Sequence, residues 1–364
     1  MANHEPNPDS LPLTVAGFAD RAEGLLAPET WSYIAGGAGE EHTLRASCQA
    51  WQDLALLPHV LVDVSKIDTS LTLLGHELAH PILLAPTAAH SLYHPSAEPA
   101  TLRGAAAGGA LAVMSTLGST PVAELGATAG GPWWLQLYVQ KDRDFTLDLV
   151  QRASGHGASA VVLTVDTPLL GARDRDRRTG GHTVDGLHPP NLTPVPDGQP
   201  ADAPLHEQVY NPHLDPSLRW ETLEWLVEYS PIPVLVKGVV RPDDARRAVD
   251  HGVGGVIVSN HGARNLDTVV TTVAALPGIV RTVAGDVPVL VDGGIRRGTD
   301  IAKAIALGAD AVLIGRPAVW GLAVGGSDGV QRVIEILRAE LVMAMGLLGA
   351  PTLGQLNADL LSQP

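Results

Sequence analysis

One cysteine, Cys48, occurs in a chain of 364 residues. An internal disulfide framework is therefore excluded, and the lone thiol reads as a packing residue of a protein from a reducing compartment. Basic residues are also scarce, with 24 Lys and Arg against 39 Asp and Glu and a formal net charge of -15. A phosphodiester backbone would be repelled by such a surface, so nucleic acid is not the expected partner. No apolar stretch approaches the ~18 residues of a membrane span. The opening segment MANHEPNPDS has neither the charged start nor the apolar run of a secretory leader. A cytoplasmic protein without a membrane partner is the expectation.

What is present is a large apolar fraction, 45% of residues, distributed in a repeating way. From residue 81 onward, short apolar runs alternate with segments of helical period, the pattern of β-α units around a parallel sheet. Eight runs can be counted: Ile82 to Ala85, Leu111 to Met114, Trp134 to Tyr138, Ala160 to Val165, Pro233 to Val236, Gly255 to Val258, Val289 to Val291 and Ala311 to Ile314. Eight units close a (β/α)8 barrel. Between them lie stretches such as Asp243 to His251, helical in spacing and stopped by Gly252. The chain is expected to be a single domain, with N-terminal helices and a hairpin over residues 1–80, the barrel over 81–325, and C-terminal helices over 326–364, among them Gly329 to Leu348. In the first part, residues 14–52 read as helical and 62–80 as strands with turns. Residues 171–219, rich in Pro, Asp, Gly and His, are too long for an ordinary connection and read as a mobile lid over the barrel mouth.

In such a barrel the C-terminal ends of the strands share one face, so polar residues just after apolar runs converge on one site. The ends supply Thr87 and Ala88, then Ser115, then Gln136 and Tyr138, then Thr164 and Asp166, then Lys237, then Ser259 to Arg264, then Asp292, Gly293, Gly294 and Arg296, and last Gly315 and Arg316. The final two sets combine glycine backbone N–H groups with guanidinium charge where barrels often bind phosphate. A single Gly-Arg pair would suit a surface turn equally well, but two pairs at these positions favour a phosphate cradle. His261 and Arg264 stand three residues apart around Gly262 in SNHGAR, 259–264. Histidine takes a proton near neutral pH, and arginine grips a carboxylate with two charge-assisted hydrogen bonds.

The chain resembles the FMN-dependent 2-hydroxy-acid oxidases and dehydrogenases, a family including glycolate oxidase, lactate oxidase and mandelate dehydrogenase. The resemblance runs through WSYIAGGA at 31–38, LAPTA at 84–88, QLYVQKDR at 136–143, LTVDTPLLGAR at 163–173, LVKGV at 235–239, VSNHGARNLD at 258–267, VDGGIRRGTD at 291–300 and LIGRP at 313–317. It implies that His261 is the active-site base and that Arg264 and Arg173 bind the substrate carboxylate. Tyr33 and Tyr138 would donate to substrate, Asp166 would pair with the imidazolium of His261, and Lys237 would stabilise charge at the flavin N1 and C2 carbonyl. Thr87, Ala88, Ser115, Gln136, Thr164 and Ser259 would hold FMN, with Asp292 on its ribityl chain and Gly293, Gly294, Arg296, Gly315 and Arg316 on its phosphate. Leu117 would border the substrate side chain and leave room for a small or medium (S)-2-hydroxy acid, lactate-like or mandelate-like, oxidised to the 2-keto acid. Oxygen is the implied electron acceptor, giving hydrogen peroxide, with another acceptor as the alternative, and the assembly implied is a homotetramer. Whether His261 removes the carbon-bound proton or the hydroxyl proton stays open. The lid sequence RDRRTGGHTVDG departs from the family pattern after Arg173.

A competing motif is HELAH at 76–80, which matches the zinc-protease pattern HExxH. That pattern needs a helix, yet Pro81 follows His80 directly and disfavours helix there. On an extended strand the two histidines would lie ~13 Å apart, too far to share one metal. A flavin barrel of another reaction type and a non-catalytic binding protein are further alternatives, but neither needs His261, Arg264, Arg173 and Tyr138 together.

Overall fold

A computed structural model describes residues 10–179, 189–193 and 211–362. Three helices come first: α1 (Val15–Leu25), α2 (Pro28–Ala35) and α3 (His42–Asp53). Thr14 caps α1, its hydroxyl accepting from Gly17 N–H, while α2 starts at Pro28, where a missing N–H costs nothing. A short strand β1 (Ala55–Leu56) leads through irregular chain to the hairpin β2 (Leu71–Leu73) and β3 (His76–Leu78). The strand character anticipated for 62–80 is thus confined to that hairpin.

The barrel follows, with β4 (Ile82–Leu84), α4 (Ala97–Gly108), β5 (Ala112–Ser115), α5 (Val122–Thr128), β6 (Trp133–Leu137), α6 (Arg143–Gly155) and β7 (Ala158–Thr164). After α7 (Asp174–Arg178) come α8 (Trp220–Tyr229), β8 (Val234–Val239), α9 (Pro242–Asp250), β9 (Gly255–Val258), α10 (Thr272–Val283), β10 (Val289–Val291), α11 (Gly298–Ala306), β11 (Ala311–Ile314) and α12 (Arg316–Leu348). Strands β4 to β11 pair in parallel, each with its neighbour in sequence, and β11 pairs with β4 to close the ring. The eight apolar runs are the eight strands of a (β/α)8 barrel.

Each strand is buried on both faces, which is why it reads as a continuous apolar run. Alternate residues divide between two cores. Leu83, Val113, Trp134, Val162, Leu235, Ile257, Leu290 and Leu313 fill the barrel, while neighbours such as Ile82, Leu84, Val256 and Val291 pack outward under the helices. The hairpin residues Leu73 and Leu78 belong to the inner core, so β2 and β3 stopper the N-terminal mouth.

The helix expected over Gly329 to Leu348 is present as the second part of α12, which continues across non-helical Gly325 and Gly326 from a first part beginning at Arg316. Beyond it the chain is not helical as anticipated: Gly349, at φ 68°, ends α12, and the tail makes two single turns and the strand β12 (Leu361–Ser362), which pairs antiparallel with β1. Of the interval expected to be a mobile lid, residues 180–188 and 194–210 lie outside the described residues. The described part near Arg173 is helical, and α7 packs against α2, with Arg175 paired to Glu41.

Candidate active site

Every barrel strand delivers a polar group or a glycine to the C-terminal mouth, around a cavity of about 370 Å³. Thr87, Ala88, Ser115, Gln136, Thr164, Lys237, Asp292, Gly293, Gly294, Arg296, Gly315 and Arg316 line it on the barrel side. Tyr33, Leu117, Tyr138, Arg173, His261 and Arg264 line it nearer the opening. Two anticipated residues stand behind the wall. Asp166 lies behind His261, and Ser259, fully buried, lies behind Lys237.

The floor is a connected polar ring. Gln136 accepts at Oε1 from Ser115 Oγ (3.0 Å) and Thr116 N–H (3.2 Å), and its Nε2 donates to Thr164 Oγ1 (3.0 Å). Lys237 Nζ donates to Ser259 Oγ at 2.9 Å and pairs with Asp292 Oδ2 at 3.1 Å. Burial pulls Lys237 down, but Asp292 and Asp166 outweigh it and raise it above the ordinary lysine value. The ammonium is therefore fully charged, and Ser259 and Asp292 engage two of its three protons. Asp292 Oδ1 is buried without a hydrogen-bond partner among the described residues.

His261 sits on an unusual turn. His261, Gly262 and Ala263 all have left-handed backbone, at φ 58°, 62° and 61°, a conformation that costs non-glycine residues and persists only when the surroundings enforce it. The enforcement is visible. His261 N–H donates to Ser259 Oγ (3.0 Å), Ala263 N–H to Asn260 Oδ1 (3.2 Å), and Arg316 Nη1 to Gly262 O (3.0 Å). Ala38 N–H reaches Ala263 O at 2.8 Å, tying the turn to the end of α2.

The imidazole faces two ways. His261 Nδ1 lies 2.9 Å from Asp166 Oδ1 and 3.2 Å from Thr167 Oγ1, and Nε2 lies 3.5 Å from the Tyr138 hydroxyl. With Nδ1–H donating to the Asp166 carboxylate, Nε2 presents its lone pair to the cavity. Burial alone would raise Asp166, yet His261, Lys237 and Thr167 together hold it below the usual carboxylate range. Burial and Asp166 push the Tyr138 phenol well above its ordinary value, so it is a neutral donor. Gly238 makes this placement possible: at φ 109°, a Cβ there would lie 2.5 Å from Asp166 Cγ.

Arginines gather on the other side. The guanidiniums of Arg173 and Arg264 lie over the Tyr33 ring, 5.1 Å and 4.9 Å from its centre. Arg264 Nη1 donates to the carbonyls of Tyr33 (2.6 Å) and Gly36 (3.1 Å), while Arg316 donates to Ile34 (2.8 Å) and Gly36 (2.8 Å). These are the carbonyls at the C-terminal end of α2, where partial negative charge collects. Burial pulls Arg316 down to about 9, with Arg264 and Arg296 adding repulsion; burial likewise lowers Arg264 and Arg296. Such a cluster is relieved by an anion. Together with the backbone of Gly293, Gly294 and Gly315, the buried hydroxyl-amide ring and the unpartnered Asp292 oxygen, it fits a flavin mononucleotide.

Sequence reading passed over four participants. Thr167 touches His261; Asn265 Nδ2 donates to Asp166 O and Thr167 Oγ1, both at 2.8 Å; Asn260 holds the turn; and Tyr93 lines the cavity. The first three fall inside quoted segments, so their position was a signal, while Tyr93 lies beyond every strand end. The HELAH segment goes elsewhere: its histidines separate, His76 Nε2 to Ser159 Oγ (2.8 Å) and His80 Nε2 to Gly108 O (2.8 Å).

Comparison with known proteins agrees with the geometry. The family model of FMN-dependent dehydrogenases matches residues 22–363. The chain is 46% identical to a peroxisomal (S)-2-hydroxy-acid oxidase of Oryza sativa subsp. japonica, over 96% of this chain and 95% of the relative. It is 44% identical to an L-lactate oxidase of Nostoc sp. (strain PCC 7120 / SAG 25.82 / UTEX 2576), over 97% and 98%. A crystal structure of mandelate oxidase superposes with a TM-score of 0.86 at 38% identity, covering 96% of this chain and 98% of that one. A barrel mouth built for a flavin, a histidine-aspartate pair beside clustered arginines, and likeness along nearly the whole length agree: the chain belongs to the family of FMN-dependent dehydrogenases.

Proposed function

We propose that this enzyme oxidises a small or medium (S)-2-hydroxy acid to the 2-keto acid, and the observation that carries the reading is the His261–Asp166 pair facing Arg173 and Arg264 across one cavity. Bound FMN supplies the acceptor for the two electrons that leave the substrate carbon. Ser115, Gln136, Thr164 and Lys237 would hold its ring, with Thr87, Ala88 and Ser259 beside them. Asp292 would hold the ribityl chain, and Gly293, Gly294, Arg296, Gly315 and Arg316 the phosphate.

The protein's own part is binding and proton handling. Arg264 and Arg173 grip the carboxylate, and Tyr33 and Tyr138 orient the carboxylate and hydroxyl. His261 Nε2 accepts a substrate proton, and the charge that forms on the imidazole is balanced by Asp166 across the 2.9 Å contact. General-base assistance of this kind is worth roughly 10²- to 10⁴-fold. Lys237 places a fixed positive charge where the electrons arrive. Beyond Leu117, the apolar residues Leu170, Leu192 and Leu214 line the cavity, which supports an aliphatic or aromatic substrate side chain of the lactate or mandelate kind.

Oxygen as the second substrate, with hydrogen peroxide as product, is supported by the relatives described as oxidases. The homotetramer the family implies is compatible with the exposed apolar side chains Val60, Leu61 and Val62, in a loop that packs on the end of α12. The single cysteine supports a location in a reducing compartment such as the cytoplasm.

The test is anaerobic mixing of the yellow holoprotein with a panel of (S)-2-hydroxy acids, followed by a pulse of oxygen. Flavin bleaching, then recovery with peroxide release, is expected; a protein that takes up no FMN, or that no acid bleaches, overturns the reading. Arg264→Met should retain FMN and weaken acid binding by on the order of 10²-fold or more. Unchanged preference for acids over the matching neutral alcohols would refute the carboxylate role.

A further inference from the structure

The Tyr93 side chain is buried, at 6% exposure, and lines the cavity, yet its hydroxyl has no hydrogen-bond partner among the described residues. An unmade buried hydrogen bond is costly, so such a group in a binding cavity is a donor awaiting a ligand. Tyr93 shares the cavity wall with Tyr33, Arg173 and Arg264, the two guanidiniums lying over the Tyr33 ring, and Tyr33, Arg264, Arg173 and Arg316 are all near enough to act on its phenol.

Its placement is built rather than accidental. Tyr93 closes the single helical turn His90–Leu92, its N–H donating to His90 O at 3.0 Å. The His90 ring meets the Tyr93 ring edge to face, with centres 6.5 Å apart. His90 is itself pinned, with Nε2 2.6 Å from Thr87 Oγ1, Nδ1 2.9 Å from Thr101 Oγ1, and its N–H donating to Glu98 Oε1 at 3.0 Å. A chain of buried polar contacts thus runs from the strand end that lines the cavity to the platform under Tyr93. Burial keeps the phenol protonated, so it donates and does not accept charge.

Resting on the proposed function, we infer that Tyr93 is a further substrate-binding residue, donating a hydrogen bond to the carboxylate held by Arg264 and Arg173. Arg264, Arg173 and Tyr33 already meet the carboxylate, and a further donor from the loop after β4 restrains its plane and so the direction in which the substrate carbon points.

Tyr93→Phe in the holoenzyme tests this, titrated with pyruvate and with pyruvamide, its neutral counterpart, by the shift each causes in the flavin visible band. The pyruvate Kd should rise roughly 10- to 100-fold, as for loss of a hydrogen bond to a charged group, and the pyruvamide Kd should change less than about twofold. FMN content should match the wild type, and ligand-free Tm should not fall, because the hydroxyl removed was unpaired. Equal loss for both ligands, no loss for pyruvate, loss of FMN, a lower Tm, or a wild type that binds no pyruvate each overturns the inference. The titration needs no turnover, so a protein that no 2-hydroxy acid bleaches would sink the proposed function while this assignment is still read.

Discussion

The two mouths of the barrel each carry a histidine motif, and they are opposites. At the N-terminal mouth, His80 is fully buried, with Nε2 on Gly108 O and Nδ1 accepting from Ile82 N–H. Both ring nitrogens are spent on backbone, and burial lowers its pKa. At the C-terminal mouth, His261 is partly open, on strained backbone, with one nitrogen on a carboxylate and the other facing the cavity. A histidine's chemistry here follows from which end of the strands it occupies, because only one end has converging polar groups and space between them. A motif with a famous spacing is inert at one mouth, and a less famous one is placed for chemistry at the other.

Paired substitutions put that contrast to work. His261→Gln should bind FMN normally and lose roughly 10²- to 10⁴-fold in the rate of flavin reduction. His80→Gln should reduce flavin at nearly the wild-type rate while losing about 1–3 kcal/mol of stability. Stopped-flow bleaching and thermal melts on the same two samples decide the matter, and similar reduction rates in both would erase the distinction between the mouths.

Glycines make a finer version of the same comparison. Gly238→Ala forces a methyl against Asp166 and a side chain onto φ 109°, so reduction should slow about tenfold or more as the His261–Asp166 contact is displaced. Gly75, in the turn between β2 and β3, has φ 81° and no atom within 4 Å of the place an added methyl would occupy. Gly75→Ala should therefore cost only backbone strain, about 1 kcal/mol, with turnover intact. Equal turnover in the two variants would show that Asp166 needs no such exact seat.

Acid titration gives the smallest effect. Asp166 is held below its unfolded value of ~3.9, so its stabilisation is complete above that pH and is lost as the pH falls through the folded value. His80 also has a lowered pKa, but it is a base, so its effect starts elsewhere. The unfolded chain takes up the proton more readily, and stability declines as the pH drops below ~6.5. Urea midpoints between pH 7 and pH 3 should therefore fall less steeply from pH 6.5 to 5 in His80→Gln, and Asp166→Asn should alter only the lower part. An unchanged upper slope in His80→Gln would mean that this histidine does not drive it.

The barrel was legible because a parallel strand covered on both faces must be apolar throughout, and eight such runs with helices between them admit few arrangements. The strand-end residues were legible for the same reason: Ser115, Gln136, Thr164 and Lys237 interrupt apolar runs at a predictable place, and the structure puts them in one polar floor. Contacts that depend on loop path were not. Arg264 and Arg316 both spend protons on the carbonyls ending α2, and nothing in the spacing of 33–36 and 264–316 announces that meeting. Tyr93 was hidden because it reaches the cavity from a turn past the strand end. The stretch between β11 and Gly325 was not read separately as helix, although helix lies on both sides of Gly325 and Gly326.

The hairpin under the barrel has a consequence for the site above it. With Leu73 and Leu78 seated in the inner core, the N-terminal mouth of the described barrel is filled by packed side chains while the C-terminal mouth holds the cavity. Substrate and cofactor sites therefore share the C-terminal side, with the arginines and the histidine lining the same cavity, and a leucine floor gives that cavity a closed bottom.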